Sequence, residues 1–128
     1  MTIPGNPVPQ KRNRFVGGGR YPRVYNPSAP RLKEIRSILR TVWEDEPIDA
    51  PIELEVVFHM KIAKNISKRR RLLMEGQCHC QSSDIDNILK LYLDAMNNLI
   101  YVDDRQVWKL TASKVFSSDP RAEIKVMY

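Results

Sequence analysis

Apolar residues recur along this chain at two spacings, one typical of helices and one typical of strands. Steps of three and four predict a helix over residues 29–43, capped by Ser28, and a second amphipathic helix over residues 84–97. Alternation over residues 52–62 predicts a strand with one solvent-facing side. Residues 107–116 and 122–128 have the pattern of two further strands, which we expect to be antiparallel and joined by a turn at residues 117–120.

The segments between these elements lack a regular period. Residues 4–30 contain six of the nine prolines, which predicts an extended, turn-rich arm, whereas residues 66–76 can form a short helix that ends at Gly76. There is no internal repeat, and 128 residues with 42% apolar content fit one domain with its own core. The expected unit is therefore residues 1–128, with a flexible basic arm over about residues 5–30.

Charge is distributed in blocks along the chain. Residues 1–40 carry nine Lys or Arg against one acid, residues 41–60 carry six acids and no Lys or Arg, and residues 61–80 carry six basic residues against one acid. Two basic blocks therefore flank an acidic one, which favours a polyanionic partner, although a solvated surface is the plain alternative. The residues expected to contact nucleic-acid phosphates are Lys11, Arg12, Arg14, Arg20, Arg23, Lys68, Arg69, Arg70 and Arg71.

Aromatic residues interleave with the basic residues of the arm. Phe15, Tyr21 and Tyr25 can stack on bases, or they can pin the arm to the core. The sequence leaves both possibilities open.

Four aspartates are concentrated in a short part of this basic chain: Asp84, Asp86, Asp103 and Asp104. Neighbouring carboxylates repel one another unless a cation joins them, and such hard oxygen ligands suit Mg²⁺ or Mn²⁺. Asp84 at a helix N-cap and Asp86 in the first turn can converge, which they cannot do in mid-helix. A short apolar stretch can return the second pair to the helix start, which predicts a metal centre of three carboxylates.

Each of these charged residues also has a plain structural explanation. An Asp at a helix start is most often a cap. Lys90, one turn after Asp86, can form an i,i+4 ion pair, or its ammonium can stabilise charge that develops on a phosphate. Spacing alone leaves both interpretations of Lys90 open.

The two cysteines, Cys78 and Cys80, support neither a structural disulfide nor a zinc site. Their spacing closes a strained ring, and His79 between them has no second ligand pair to complete a tetrahedral set. No apolar run is long enough to span a membrane, and no signal-peptide core is present. We therefore expect a reducing, cytoplasmic location, with no membrane contact and no small-molecule cofactor.

Several motifs together resemble one known family. They are Asp-Ile-Asp-Asn at residues 84–87, Lys90, Asp-Ala-Met-Asn at residues 94–97 and Asp-Asp-Arg-Gln-Val at residues 103–107. This constellation resembles the RusA family of Holliday junction resolvases. The arm, with Gly-Asn-Pro-Val-Pro-Gln-Lys-Arg at residues 5–12 and Tyr-Asn-Pro at residues 25–27, is similar to that of phage and prophage members.

The resemblance implies a fold, a reaction and a partner. The fold is α+β, a two-layer sandwich of a small mixed or antiparallel sheet with helices on one face, in a homodimer. The reaction is the Mg²⁺-dependent nicking of four-way DNA junctions at symmetric positions in recombination and repair, with Mn²⁺ able to substitute, in a bacterium or its phage. The resemblance also implies that Asp84 and Asp86 hold metal, that Asp104 is the third carboxylate with Asp103 in support, and that Lys90 is the essential lysine.

One departure concerns the residues before the first aspartate. Many relatives carry Lys-Pro or Arg there, whereas this chain has Ser82 and Ser83, so one expected phosphate contact is missing. The leading hypothesis is a junction-resolving endonuclease. The alternative is a structure-selective protein that binds branched DNA with weak or no cleavage. A generic binding domain does not explain four clustered aspartates near two basic blocks.

Overall fold

A computed structural model describes residues 1–19 and 23–128 of the chain. Arg20 and Tyr21, both singled out from the sequence, lie outside the described residues. In chain order the elements are β1 (Thr2–Pro4), β2 (Arg14–Val16), β3 (Arg23–Tyr25), α1 (Ala29–Val42), β4 (Ile52–Lys61), α2 (Lys68–Met74), α3 (Ile85–Met96), β5 (Val107–Ser117) and β6 (Arg121–Met127). A short 3-10 turn, Asp104–Gln106, precedes β5.

The elements with the clearest apolar period form where the sequence predicts them. Helix α1 follows Ser28, has a proline in its first turn and ends one residue before the predicted boundary. Strand β4 buries alternate residues, Ile52 to Met60, and directs Glu53 and Glu55 to the opposite face. The short helix α2 is also confirmed, and Gly76 follows it with a φ of +78°.

The main sheet is mixed, with the order β1-β6-β4-β5. Strand β5 pairs with β4 in parallel, and β6 pairs with β4 in antiparallel on the other side. The last two strands therefore run antiparallel to each other, as predicted, but they do not pair directly, because β4 lies between them. The chain from β4 to β5 passes through two helices, and such a crossover returns a strand parallel to the first. The following turn then crosses the end of β4.

Helices α1 and α3 form a layer on one face of this sheet. Alternate side chains of β4 enter a common core with Ile35 and Leu39 of α1 and with the apolar face of α3. At the centre the rings of Phe58 and Tyr92 lie 5.3 Å apart, and both side chains are fully buried. The expected α+β fold, with a mixed sheet and helices, is confirmed.

The N-terminus and the arm that follows it contain strands that the sequence did not predict. Strand β1 pairs with β6 at the edge of the main sheet, and β2 and β3 form a separate two-stranded hairpin. Each of these strands has only three residues, which is too short for an alternating pattern to register. Helices in the described part of the chain are too short or too polar to cross a bilayer.

Replacing Phe58 by Ala tests this account of the core. We expect Phe58→Ala to lower the free energy of unfolding by about 4 kcal/mol, because a buried ring is lost and a cavity remains against Tyr92. Urea denaturation measures this change. Phe15→Ala is the matched control, since the Phe15 side chain is 76% exposed, and it should leave the unfolding midpoint unchanged. Equal effects of the two substitutions would contradict the packing described.

Candidate active site

Asp84 and Asp86 lie at the start of α3, as the sequence predicts. Asp84 is the N-cap residue in an extended conformation, and Asp86 lies in the first turn. The Ile88 N–H donates to the Asp84 carbonyl oxygen at 3.1 Å, which begins the helix. The Asp84 carboxylate, however, accepts no capping hydrogen bond, so helix initiation does not occupy it. Both side chains are exposed beside the free N–H groups of the first turn.

Asp103 has the structural role that Asp84 lacks. Its carboxylate accepts a hydrogen bond from the Arg105 N–H at 3.0 Å, and its own N–H donates to Gln106 Oε1 at 2.7 Å. Gln106 Nε2 in turn donates to the carbonyl oxygens of Ile48 and Ala50. This capping box tethers the turn to the start of β4. Gln106 lies within the motif at residues 103–107 but was assigned no role from the sequence, although its spacing from Asp103 is the signal of a capping box.

Asp104 is the less constrained member of the second pair, and its surroundings are acidic. Partial desolvation raises the pKa of Asp104, although its side chain is exposed, and the nearby Asp103 and Asp94 carboxylates raise it further. The Arg105 N–H lowers the pKa of Asp103, so the two neighbours titrate differently. Burial, and then the charges of Asp104, Asp94 and Asp103, raise the pKa of Tyr101. These carboxylates therefore lie near Tyr101, and their negative charges repel one another.

Asp94 is a site residue that the sequence prediction did not include. Gln10 Nε2 donates to Asp94 Oδ2 at 2.9 Å, and the Gln10 N–H donates to the Asn87 carbonyl oxygen at 3.0 Å. The arm is thereby attached along the exposed side of α3. The motif at residues 94–97 contained Asp94, but sequence spacing alone did not show that it would lie beside Asp104.

The two acidic pairs stay apart within one chain. Asp86, Lys90 and Asp94 follow one another at intervals of four residues along α3, so they share one side of the helix. Eight residues of helix separate Asp86 from Asp94 by about 12 Å along the axis. Across residues 1–19 and 23–128, no three His, Cys, Asp or Glu side chains come close enough to hold one metal ion. The three-carboxylate centre predicted from the sequence is not preformed in one chain.

Asp86, Lys90 and Asp94 form an acidic stripe along α3, and Lys90 projects from its middle. It is exposed and forms no ion pair with any described residue, so the i,i+4 bridge to Asp86 is absent. An unpaired ammonium between two groups of carboxylates is free to meet an anionic ligand.

A second lysine, which the sequence analysis did not single out, lies beside the loop that precedes Asp84. Lys114 on β5 donates from Nζ to the Ser83 carbonyl oxygen at 2.6 Å and to the Gln81 carbonyl oxygen at 3.1 Å. A cation from another strand thus lies next to the Ser82 and Ser83 positions. No local sequence signal relates Lys114 to this loop, because 31 residues separate it from Ser83.

The cysteine segment pairs with the end of β5. Cys78 and Cys80 are free thiols with exposed side chains, and the His79 ring packs on Phe116 with centroids 4.7 Å apart. Burial, and then the charge of Lys114, lower the pKa of His79. His79 therefore packs against β5.

Most of the basic residues predicted to contact phosphates are exposed on two segments. On α2, Lys68, Arg69 and Arg70 are exposed, whereas Arg71 donates to the carbonyl oxygens of Ala63 and Ile66 and holds the preceding loop. On the arm, the exposed residues are Lys11, Arg12, Arg14 and Arg23. Arg71 thus has a structural role within the chain, which the sequence did not indicate.

An α+β fold with carboxylates along one helix, together with exposed basic residues on two other segments, is typical of enzymes that act on nucleic acids. A family model described as "Endodeoxyribonuclease RusA" matches residues 4–127, and the chain belongs to this family. The family is one of endodeoxyribonucleases that resolve Holliday junctions and bind branched DNA.

One curated relative is similar over nearly the full length. It is a protein of Bacillus subtilis (strain 168) with the name "Uncharacterized protein YqaN", and it is 30% identical over 98% of this chain and 93% of its own length.

The raised pKa of Asp104 predicts a pH-dependent gain of stability for Asp104→Asn in metal-free buffer. A carboxyl whose folded-state pKa is raised stabilises the fold while it is protonated, and this contribution is lost as the pH rises through the folded-state pKa. Asp104→Asn should therefore raise the melting temperature at neutral pH, and the gain should vanish below about pH 3.5. Thermal melts across this range measure it. Asp45→Asn, at an exposed site, is the control, and a gain that is independent of pH would contradict the assignment.

Proposed function

We propose that this protein is a metal-dependent endodeoxyribonuclease that resolves four-way DNA junctions by paired, symmetric nicking in recombination and repair. The observation that carries the proposal is the Asp84 carboxylate, which lies at a helix start without capping it, beside Asp86 and on the same exposed side as Lys90. Membership of the RusA family supports the same reaction. The proposed setting is the cytoplasm of a bacterium, with the gene in the host or a phage and without a membrane or small-molecule cofactor.

Carboxylate oxygens are the ligands that Mg²⁺ prefers, and Mn²⁺ accepts the same set. Asp84 and Asp86 would supply one part of the set and Asp104, with Asp103, the other. A bound divalent ion would polarise the scissile phosphate and lower the pKa of an attacking water. Within one chain these pairs do not meet, so the described residues of a single copy do not fit a complete site.

A second copy offers a way to close this gap. Helix α3 runs antiparallel to β5: its start lies near Lys114, while its end leads to Asp103 and Asp104 at the beginning of β5. Two antiparallel β5 strands would therefore bring the beginning of one near the Lys114 end of the other. In such a dimer, Asp104 of the partner subunit would approach Asp84 and Asp86, and two equivalent sites would result.

The outer edge of β5 has the properties that such pairing requires. Residues 76–79 cover the edge at Lys114 and Phe116 through backbone hydrogen bonds. Alternate residues of a strand direct their backbone N–H and C=O groups to the same edge, so Leu110 and Ala112 also face the outer edge. Their backbone groups have no such partner in the described chain. A two-fold axis near Thr111 would pair Leu110 with Ala112 of the partner subunit.

Exposed apolar side chains on the same edge support an interface there. Trp108 is 68% exposed and Leu110 is 38% exposed, although large apolar residues are normally covered. Trp108 is the extra residue of a β-bulge opposite Ile52 and Glu53, which directs it away from the regular pattern. A subunit interface would bury both residues, and tryptophan is enriched at the centres of such interfaces.

The basic segments supply the DNA contacts in this proposal. Exposed Lys and Arg on the arm and on α2 would bind phosphates, so binding should weaken steeply with salt and show little base preference. Arg20 keeps the same proposed role from the sequence alone. We include Arg71 as a residue that positions the α2 segment rather than as a direct contact.

The alternative is a protein that binds branched DNA with weak or no cleavage. Its support is the pair Ser82 and Ser83, where many relatives carry a basic residue. Lys114 weakens this argument, because its ammonium lies at the same loop and can provide the missing positive charge.

Cleavage of a synthetic four-way junction tests the proposal directly. With Mg²⁺ we expect paired nicks at symmetric positions, reduced at least about 100-fold by Asp86→Asn, Asp104→Asn or Lys90→Met, because each removes a group that meets the charged phosphate. Junction binding in Ca²⁺ should survive in all three variants. Denaturing gels and gel-shift assays measure the two properties, and Asp45→Asn serves as the charge-matched control.

The outcomes separate the candidate functions. Binding without nicking in both Mg²⁺ and Mn²⁺ would favour the binding protein. If the wild-type protein does not bind any branched DNA, both functions are refuted.

Co-purified mixtures of two inactive variants test whether the sites are shared between subunits. A dimer of Asp86→Asn and Asp104→Asn chains would contain one intact composite site, so about a quarter of the wild-type sites should return after random assortment, mainly as single nicks. A mixture of Asp84→Asn and Asp86→Asn is the control, because it leaves no intact site. No recovery from the first mixture would show that each chain builds its site alone.

A further inference from the structure

The β2–β3 hairpin exposes every residue of both its strands. Phe15 lies directly opposite Val24 on one face, and these side chains are 76% and 56% exposed. The other face carries Arg14 opposite Tyr25 and Val16 opposite Arg23. Two-stranded hairpins are marginally stable on their own in water. An apolar face on a ribbon of this kind indicates a surface that a ligand covers.

The base of the hairpin is attached to the helix that carries the candidate site. The Gln10 N–H and side chain bind Asn87 and Asp94 of α3, and the Lys11 N–H donates to Ser28 Oγ at 2.7 Å. Five residues then lead from Gln10 to Phe15, and they can span at most about 17 Å. A ligand on the hairpin would therefore lie close to the acidic stripe on α3.

The positive charge of the arm indicates which kind of ligand can cover the hairpin. Residues 5–30 contain no Asp or Glu, and Lys11, Arg12, Arg14 and Arg23 are exposed around the apolar pair. A second copy of the same hairpin would be repelled by this charge, whereas a polyanion would be attracted. A phenyl ring cannot form hydrogen bonds with base edges, but every nucleic-acid base offers a flat face on which it can stack.

We propose that Phe15 stacks on an unstacked base at the branch point of DNA, supported across the hairpin by Val24, while the neighbouring basic residues hold the adjoining phosphates. Intact duplex keeps its base faces against one another, so Phe15 gains a partner only where the stack is interrupted. The hairpin thereby distinguishes branched from linear DNA and places the branch relative to α3. This inference rests on the proposed function, since it assigns a specificity role within the same complex.

Binding measurements in Ca²⁺ without Mg²⁺ test the stacking role apart from cleavage. We expect Phe15→Ala to weaken binding of a four-way junction about tenfold, as alanine substitutions at stacking positions do, with linear duplex binding unchanged. Phe15→Trp should bind like the wild type, and Phe15→Leu should behave like Phe15→Ala, because leucine is apolar but has no π face. Leu72→Ala is the matched control, since Leu72 is 79% exposed on another basic segment.

A fluorescent base reports the contact itself. A junction with 2-aminopurine next to the branch should change its emission on binding wild-type protein or Phe15→Trp, and should not change with Phe15→Ala. Wild-type affinity in Phe15→Leu, or equal losses on junction and duplex in Phe15→Ala, would overturn the stacking role. So would weaker self-association of Phe15→Ala in sedimentation with unaltered DNA binding, which would assign the hairpin to a subunit contact.

The results also separate this inference from the proposed function. If wild-type protein nicks junctions while Phe15→Ala binds them normally, the stacking role fails and the nuclease function stands. If wild-type protein binds no branched DNA, both fail.

Discussion

The burial of one face of α3 determines how the candidate site is presented. Ile88, Leu91, Tyr92, Ala95 and Met96 are fully buried, and the contact between Phe58 and Tyr92 fixes the helix against the centre of the sheet. Because a helix is a rigid rod with a fixed angular period, anchoring this face directs the opposite one toward solvent. The carboxylates and the lysine of the acidic stripe therefore project from a surface that the core holds in place.

The two acidic pairs illustrate how local hydrogen bonding divides similar residues between roles. Asp103 is used in a capping box, and its charge is stabilised by a backbone N–H, whereas Asp104 lies among carboxylates that oppose its ionisation. Asp84 is a helix N-cap by backbone conformation only, with its carboxylate unused. Carboxylates without internal partners repel one another, and this repulsion favours a bound cation in their place.

The basic arm and the cation of Lys114 are both attached near the acidic helix α3. Gln10 binds the arm to α3, and Lys114 binds the loop before Asp84 to β5. The exposed edge of β5, with Trp108 at its bulge, lies near Asp103 and Asp104, which precede this strand.

The elements whose side chains repeat with a clear period, α1, β4 and α3, were predictable from local sequence, and so was Asp84 as the N-cap. The sequence also carried the motifs by which the family is recognised. Which strands pair depends on tertiary contacts, through which β5 joins β4 in parallel and β6 joins the other side of β4. The tertiary structure likewise brought Asp94 and Lys114 to the site and kept Asp86 apart from Asp104. Periodicity reports that a face is buried, but the partner that buries it is chosen by contacts between residues far apart in the chain.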